Sequence, residues 1–136
     1  NMRRDTGSAI LLITHDMGVV WEMCDRVVVM YASRIAETGT TRQIFFKPSH
    51  PYTQGLLKSI PTLDNLTEKL GTIEGLVPSP LNYPPGCHFQ DRCPHAFGRC
   101  QKERPMLIEL GNGHQAACFI AKKLYAATSE KGGDCR

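Results

Sequence analysis

Four cysteines in the second half of the chain constrain its fold more than any other feature of the sequence. They lie in a stretch rich in proline and glycine, PPGCHFQDRCPHAFGRC, that is closed by HQAACF. The four are Cys87, Cys93, Cys100 and Cys118, with the spacing C-x5-C-x6-C-x17-C. Thiolates that converge from irregular backbone are the ligands of a tetrahedral metal or of an iron–sulfur cluster. The same four residues could instead form two disulfides.

The choice between metal and disulfides depends on the cell compartment. Small secreted proteins use cysteines as a disulfide framework, whereas cytosolic proteins use them to bind metal. The sequence shows no charged start followed by an apolar core and a cleavage site, and its longest apolar runs are too short to span a bilayer. We therefore expect a metal or a cluster at the four cysteines. Cys24 and Cys135 stand apart from this set.

Length and net charge limit the number of domains and the kinds of partner to expect. A chain of 136 residues is enough for one domain, or for one compact body with a small appendage. Its net charge of +3 does not demand nucleic acid, and we expect no such partner. The change in composition divides the chain into an α/β part over residues 1–61 and a cysteine-bearing extension with a flexible tail over residues 62–136.

The first part is predicted to be a strand, a helix, a β-hairpin and two helices. The apolar run AILLIT at residues 9–14 is typical of a strand buried on both faces of a parallel sheet. Such a strand needs parallel neighbours on both sides, so this part is expected to be an incomplete piece of a larger α/β fold. The remaining predictions are a helix over 16–24, strands over 27–31 and 34–38, and helices over 41–46 and 51–60.

The second part is predicted to be irregular. Five prolines between Pro78 and Pro94 exclude a helix or a central strand there. We expect a loop module to about residue 120, followed by a weakly ordered tail with the sequence SEKGGDCR. A region with so little hydrophobic pattern needs a cross-link in order to fold, which favours a structural role for the metal.

Three stretches of the sequence, in this order, carry a family resemblance: LLITHD at 11–16, HPYTQGLLKSIP at 50–61, and the cysteine segment ending with Cys118. Together they resemble the C-terminal portion of the ATP-binding subunit of oligopeptide/dipeptide (or nickel) ABC importers. LLITHD recurs throughout ABC ATPases, but the HPYT segment followed by four cysteines is typical of a much smaller set of proteins. The resemblance implies a C-terminal fragment of a P-loop ABC ATPase domain, followed by an irregular, cysteine-rich, metal-binding extension.

The resemblance implies that His15 is the switch histidine, which meets the γ-phosphate of ATP and the attacking water. An imidazole at the C-terminal end of a parallel strand lies where α/β folds bind ligands. The alternative is that His15 only caps the next helix. Asp16 is predicted to be an N-cap rather than a catalytic group, with Thr14 as the other candidate cap.

Several motifs of an ABC ATPase do not occur in these residues. The sequence contains no G-x-x-x-x-G-K-[ST] phosphate loop, no LSGGQ-type signature and no acidic strand end for magnesium. The resemblance therefore assigns ATP and magnesium to the full-length subunit. We expect negligible ATP hydrolysis by this chain alone.

The resemblance also implies that the four cysteines hold an iron–sulfur site. We rank a [4Fe–4S] cluster first, zinc second and disulfides third. The spacing fits neither a zinc ribbon nor a two-cluster ferredoxin, because both of those use C-x2-C pairs. His88, His95 and His114 are close enough in sequence to replace a cysteine ligand, although each is more typical of a surface or supporting residue.

The partners implied by the resemblance are membrane permease subunits and a second ATPase subunit, at the inner face of the cytoplasmic membrane. The exposed edge of a parallel strand predicts that the fragment forms a homodimer. The alternative function is a stand-alone metal-binding module with a regulatory or interaction role. The sequence leaves open whether the imported substrate is a dipeptide, an oligopeptide or nickel.

Overall fold

The computed structural model describes residues 9–60 and 71–131, with the side chains of 129–131 left out. These residues form a small α/β body. The helices are α1 (Met17–Met23), α2 (Thr41–Phe46), α3 (Pro51–Lys58), α4 (Gly98–Lys102) and α5 (Ala121–Lys131). The strands are β1 (Arg26–Tyr31), β2 (Arg34–Thr40), β3 (Ile108–Gly111) and β4 (His114–Ala116), and a single 3₁₀ turn covers Gln90–Arg92.

The four strands form one antiparallel sheet in the order β1-β2-β4-β3. The β1–β2 hairpin turns at Ala32 and Ser33, whose φ values of 46° and 63° are typical of a type I′ turn. β4 then pairs with the middle of β2, where Glu37 lies opposite Ala116 and Thr38 opposite Gln115. The sheet therefore joins residues from both sides of the boundary expected near residue 61, and that boundary stays a prediction.

Local capping explains where the helices that follow the hairpin begin. Thr40 and Gln43 form a capping box at the start of α2, with reciprocal side-chain to backbone bonds. At α3, the Nδ1 of His50 accepts a hydrogen bond of 3.0 Å from the Tyr52 N–H, and Pro51 occupies the first helical turn. The predicted helix, hairpin and two further helices between residues 16 and 60 are confirmed, with β2 running two residues beyond its predicted end.

The hydrophobic core lies between the hairpin, the two helices after it and the cysteine segment. It is built from Val29, Tyr31, Ala36, Ile44 and Phe89. Partly buried side chains from α3 and from the cysteine loop pack against it. One aromatic residue of the irregular segment, Phe89, therefore completes a core that the hairpin and helices begin.

The strand predicted over Ala9–Thr14 is wrong for the described residues. This run belongs to no helix or sheet, and Leu11 and Ile13 are 89% and 90% exposed. A buried strand needs neighbours that satisfy its N–H and C=O groups, and no described strand pairs with it. Apolar content alone did not create a strand here.

The end of the chain is more regular than predicted. The expected loop module contains the β3–β4 hairpin, and α5 includes residues 129–131 of the expected loose tail. The rest of that tail, residues 132–136, lies outside the described residues. The hairpin is short, and its turn at Gly111, Asn112 and Gly113 has positive φ angles throughout. The segment from residue 71 to 89 has neither helix nor strand, as its prolines predicted. The predicted linker over 62–70 lies outside the described residues.

Candidate metal centre

All four cysteines of the candidate site line the same small cavity, although they come from separate segments of the chain. The cavity also borders His50 and Pro51 at the start of α3, together with His95 and Phe119, and its volume is about 10 Å³. Long-range folding has therefore brought together four sulfur-bearing side chains that span more than thirty positions in the sequence. The cavity is bordered largely by apolar groups.

Cys87 and Cys100 are held together by a close approach of two backbone segments. The Cys87 N–H donates a hydrogen bond of 2.8 Å to the Cys100 carbonyl. Gly86 permits this contact, because a Cβ at that position would lie 2.2 Å from the Cys100 carbonyl oxygen. Only glycine can stand there without movement of the backbone.

The other two cysteines follow short regular elements. Cys93 ends the 3₁₀ turn, and Pro94 after it begins a further turn in which the Ala96 N–H donates 3.1 Å to the Cys93 carbonyl. Cys118 follows β4, and its carbonyl accepts a hydrogen bond from Ala121 at the start of α5. The sheet therefore sets the position of one ligand candidate, and tight turns set the others.

Backbone N–H groups approach three of the four sulfur atoms in a repeated pattern. The N–H two residues further on stabilises the thiolate at each of these positions: Phe89 for Cys87, His95 for Cys93 and Ile120 for Cys118. Successive backbone N–H groups that face one anionic centre are typical of iron–sulfur and phosphate sites. This local geometry favours anionic sulfur.

Burial of the cysteine side chains opposes ionisation of their thiols. Desolvation raises the pKa of the Cys87 and Cys93 thiols, and it raises the pKa of Cys118 to about 12. The neighbouring cysteines raise these pKa values further, because thiolates in one cavity repel one another. A bound cation would remove both penalties, so the thiolate state of this site is coupled to metal binding.

The thiols are close without forming a preformed ion site. Across residues 9–60 and 71–131, no group of three or more His, Cys, Asp or Glu side chains has the arrangement needed to hold a metal ion. The described cysteines are also free of disulfides: Cys24, Cys87, Cys93, Cys100 and Cys118. The structure thus brings the four candidate ligands to one cavity as free thiols.

His50 is a residue of this site that the sequence argument missed. Its ring lies 5.8 Å from that of Phe89 and donates to the Ala117 carbonyl, next to Cys118. Burial lowers the pKa of His50 to about 4, against the opposing effects of Glu37 and of that carbonyl. The signal was available in the HPYT stretch, where a histidine before proline can cap a helix and still present its ring inward.

A buried carboxylate supports the same region. The Glu37 side chain is fully buried and accepts hydrogen bonds from the backbone N–H groups of Ser49 and His50, at 2.7 Å and 3.0 Å. It also contacts His114 Nε2 at 2.7 Å. Glu37 therefore ties β2 to the start of α3 and to β4, the strand that leads to Cys118.

The histidines considered as substitute ligands have separate places. His88 hydrogen-bonds Arg34 and the Ala32 carbonyl, and His114 is buried against Glu37. Neither of them borders the cysteine cavity, whereas the exposed His95 does. Only His95 of the three stays a candidate substitute ligand.

His15 and Asp16 begin α1 at the surface. Asp16 is the N-cap, since its side chain accepts hydrogen bonds of 2.8 Å and 3.2 Å from the N–H groups of Gly18 and Val19. The prediction of a cap at Asp16 is confirmed. His15 is exposed and is not the capping side chain. Its suggested contact with a nucleotide stays a prediction.

Comparison with known proteins defines the class. Residues 36–100 match the family described as the oligopeptide/dipeptide transporter, C-terminal region. The match includes most of β2, α3 with its HPYT start, and three of the four clustered cysteines. Residues 36–100 therefore belong to the C-terminal region of this transporter family, and the resemblance found in the sequence is confirmed.

Individual relatives agree with this assignment. The chain is 49% identical over 113 residues to the oligopeptide transport ATP-binding protein AppD of Bacillus subtilis, a match that covers 83% of this chain and 34% of that protein. It is 46% identical to OppD of Salmonella typhimurium and 47% identical to OppD of Escherichia coli, each over 87% of this chain and 35% of the relative. The chain thus spans about a third of the length of these curated relatives. In the described part of the chain, no helix has the length and apolar character needed to cross a membrane.

Proposed function

We propose that this chain is the C-terminal part of an ATP-hydrolysing subunit that energises the import of oligopeptides or dipeptides. The family match and the names of the relatives, which are oligopeptide transport ATP-binding proteins, support this role. In the full-length subunit, ATP and magnesium would bind chiefly to motifs that do not occur in these residues. The partners would be permease subunits and a second ATPase subunit, on the cytoplasmic face of the membrane.

We propose that His15 contacts the γ-phosphate in that full-length subunit. The support is its place in LLITHD and the assignment of Asp16 as the helix cap, which leaves the exposed histidine beside it free of a capping role. A full-length subunit with His15→Ala should then lose ATP turnover but keep ATP binding. Unchanged ATP turnover in the full-length His15→Ala subunit would contradict this assignment, and magnesium-dependent turnover by the 136-residue chain alone would contradict the expectation that this chain is inactive.

We propose that Cys87, Cys93, Cys100 and Cys118 hold a [4Fe–4S] cluster as a structural cross-link. The observation that carries this proposal is the convergence of the four thiols on one largely apolar cavity, with backbone N–H groups directed at three of the sulfurs. Four thiolates with hydrogen-bonded sulfurs are the ligand set of such a cluster. The residues present therefore fit the group chemically.

Zinc is the second candidate for the same ligands. A single zinc ion needs four donors at about 2.3 Å from one point, and no described group of side chains has such an arrangement. A cluster of several irons accepts sulfurs that lie further apart. The cavity, at about 10 Å³, has about the volume that one water molecule occupies, so a cluster would require the surrounding side chains to move apart, whereas a single zinc ion would not.

The experiment compares metal content in four versions of the chain prepared without oxygen. The unaltered chain should contain iron and acid-labile sulfide and show broad visible absorbance. Cys100→Ser and Cys118→Ser should lose most of both, whereas Cys24→Ser, the control at the C-cap of α1, should keep them. Zinc in place of iron would favour the second candidate, and retention of iron by both site variants would contradict the proposal.

Self-association of the chain stays a prediction, although its basis changes. The residue 9–14 run is not a strand, but β1 is an edge strand of the described sheet and exposes Val28 and Met30. Unpaired edge strands with apolar side chains favour pairing with a second copy. Sedimentation across a range of concentrations tests it, and a monomer throughout would contradict it.

A further inference from the structure

A second, larger pocket lies beside the cysteine cavity, on the other side of Cys87 and His50. Its volume is about 360 Å³, which is within the usual range for small-molecule sites. The tip of the β1–β2 hairpin forms one wall, and residues 104–107 with the start of the cysteine loop form the other.

The pocket combines exposed apolar groups with positive charge. Met30, Ile35 and Met106 border it and are 57%, 43% and 72% exposed. Two arginines also border it, Arg34 and Arg104. No Asp or Glu occurs among the described residues that line it, so its fixed charge is entirely cationic.

Arg34 is held in place by its neighbours and keeps an unused donor. Its Nε donates 3.0 Å to His88 Nε2, while His88 Nδ1 lies 2.9 Å from the Ala32 carbonyl. Since an arginine Nε can only donate, His88 must carry its proton on Nδ1. The Nη1 of Arg34 is buried and has no hydrogen-bond partner among the described residues. An unsatisfied buried donor of this kind favours the approach of an acceptor.

The pocket wall is fixed by contacts across the hairpin tip. Tyr83 stacks on His88 with ring centroids 4.4 Å apart, and its hydroxyl hydrogen-bonds Ser33 at 2.9 Å. These contacts fasten the irregular segment before the cysteines to the turn that precedes Arg34. The cationic side of the pocket is therefore organised before any ligand binds, which lowers the entropy cost of binding.

We propose that this pocket binds a small carboxylate that carries an apolar group and no positive charge. The guanidinium groups of Arg34 and Arg104 would receive the carboxylate, and Met30, Ile35 and Met106 would cover the apolar group. A zwitterion such as a free amino acid is disfavoured, because the lining offers its ammonium group no carboxylate. The inference does not depend on a metal at the neighbouring cysteines.

N-acetyl-leucine is a suitable probe, because it has a carboxylate, a branched apolar group and no ammonium. In the 136-residue chain with ¹³C-labelled methionine methyl groups, titration should shift Met30 and Met106 in a saturable way. The methyl signals of Met17 and Met23, both in α1, should not shift. The neutral isostere N-acetyl-leucinamide should bind about tenfold more weakly, since a charge-assisted hydrogen bond contributes more than a neutral one.

A matched pair of variants tests the cationic side. Arg104→Gln should weaken binding of N-acetyl-leucine about fivefold, a modest factor because Arg104 is exposed. Lys102→Gln, which removes an exposed charge two residues away outside the pocket, should leave the affinity unchanged. Because both side chains lie at the surface, neither substitution should alter the fold. The titration followed by methionine methyl signals uses the unaltered chain and so does not depend on either variant.

Several results would overturn the proposal. Binding of the amide as tightly as the acid would show an apolar site without anion recognition. Inorganic phosphate or free leucine binding as tightly as N-acetyl-leucine would contradict the predicted ligand class. Equal affinity in Arg104→Gln and Lys102→Gln, or shifts at Met17 instead of Met30, would place the ligand elsewhere.

Discussion

The hairpin-and-helix region over residues 26–58 and the cysteine region over residues 86–120 are stabilised in different ways. In the first, alternating strand burial, capping side chains and a fully buried Ile44 follow rules that act within a few residues. In the second, tight turns and two short strands present Phe89, His114 and the cysteines to partners far away in the sequence. The hairpin and helices therefore follow from local interactions, whereas the candidate site depends on long-range contacts between the cysteine region and these elements.

Removal of the Glu37 side chain, which joins the two regions, should reduce the free energy of unfolding more than any other change considered. Glu37→Ala leaves two backbone N–H groups and the buried His114 without their acceptor. Loss of one partner from a buried charged network costs several kcal/mol, and we expect about 4 kcal/mol here. Chemical denaturation measures it, with Glu22→Ala on exposed α1 as a control that should change stability little. A loss below about 1 kcal/mol would show that the two regions are not coupled through Glu37.

A pair of identical substitutions tests whether apolar residues stabilise only where they are packed. Ile44→Ala removes a side chain with no exposed surface and should cost about 3 kcal/mol. Ile13→Ala, in the unpaired run before α1, removes a side chain that is 90% exposed and should cost less than about 0.5 kcal/mol. Equal losses in denaturation curves would mean that the 9–14 run is packed in solution.

Gly86 tests the close approach within the cysteine region. Gly86→Ala places a methyl group against the Cys100 carbonyl, so the two segments must separate at a cost of about 2 kcal/mol. The same variant should reduce the metal content of protein prepared without oxygen. Gly98→Ala is the matched control, because nothing lies within 4 Å of the added methyl group, and it should be neutral or slightly stabilising. Unchanged stability and metal content in Gly86→Ala would contradict the observed contact.

Protonation of His50 should cause a smaller loss of folding stability, which depends on pH. Its folded-state pKa of about 4 lies below the unfolded value of 6.5, so the unfolded chain binds the proton first as the pH falls. Stability of metal-free protein should therefore decrease by about 2 kcal/mol between pH 7.5 and pH 5 through this residue. His50→Gln should remove this part of the slope, whereas His95→Gln, an exposed histidine, should retain it. The same slope in both variants would contradict the assignment to His50.

The locally encoded parts of the molecule were predictable from particular residues. The β-branched run at Val27–Val29 before a two-residue turn indicated the hairpin, Asp16 indicated its helix cap, and Pro51 indicated the start of α3. The run at 9–14 misled because its apolar character resembles that of β1. Hydrophobicity makes a strand possible, but a paired neighbour is needed to form it.

The sequence by itself determined the hairpin, the helix starts between residues 16 and 51, the irregular proline-rich segment and the family to which the C-terminal region belongs. Only the tertiary structure decided that β4 pairs with β2, that Glu37 meets His114, and that four cysteines border one cavity with His50 beside them. The reason is physical. Caps, turns and periodicity act over a few residues, whereas strand pairing and convergence of side chains depend on contacts between segments as many as 87 positions apart.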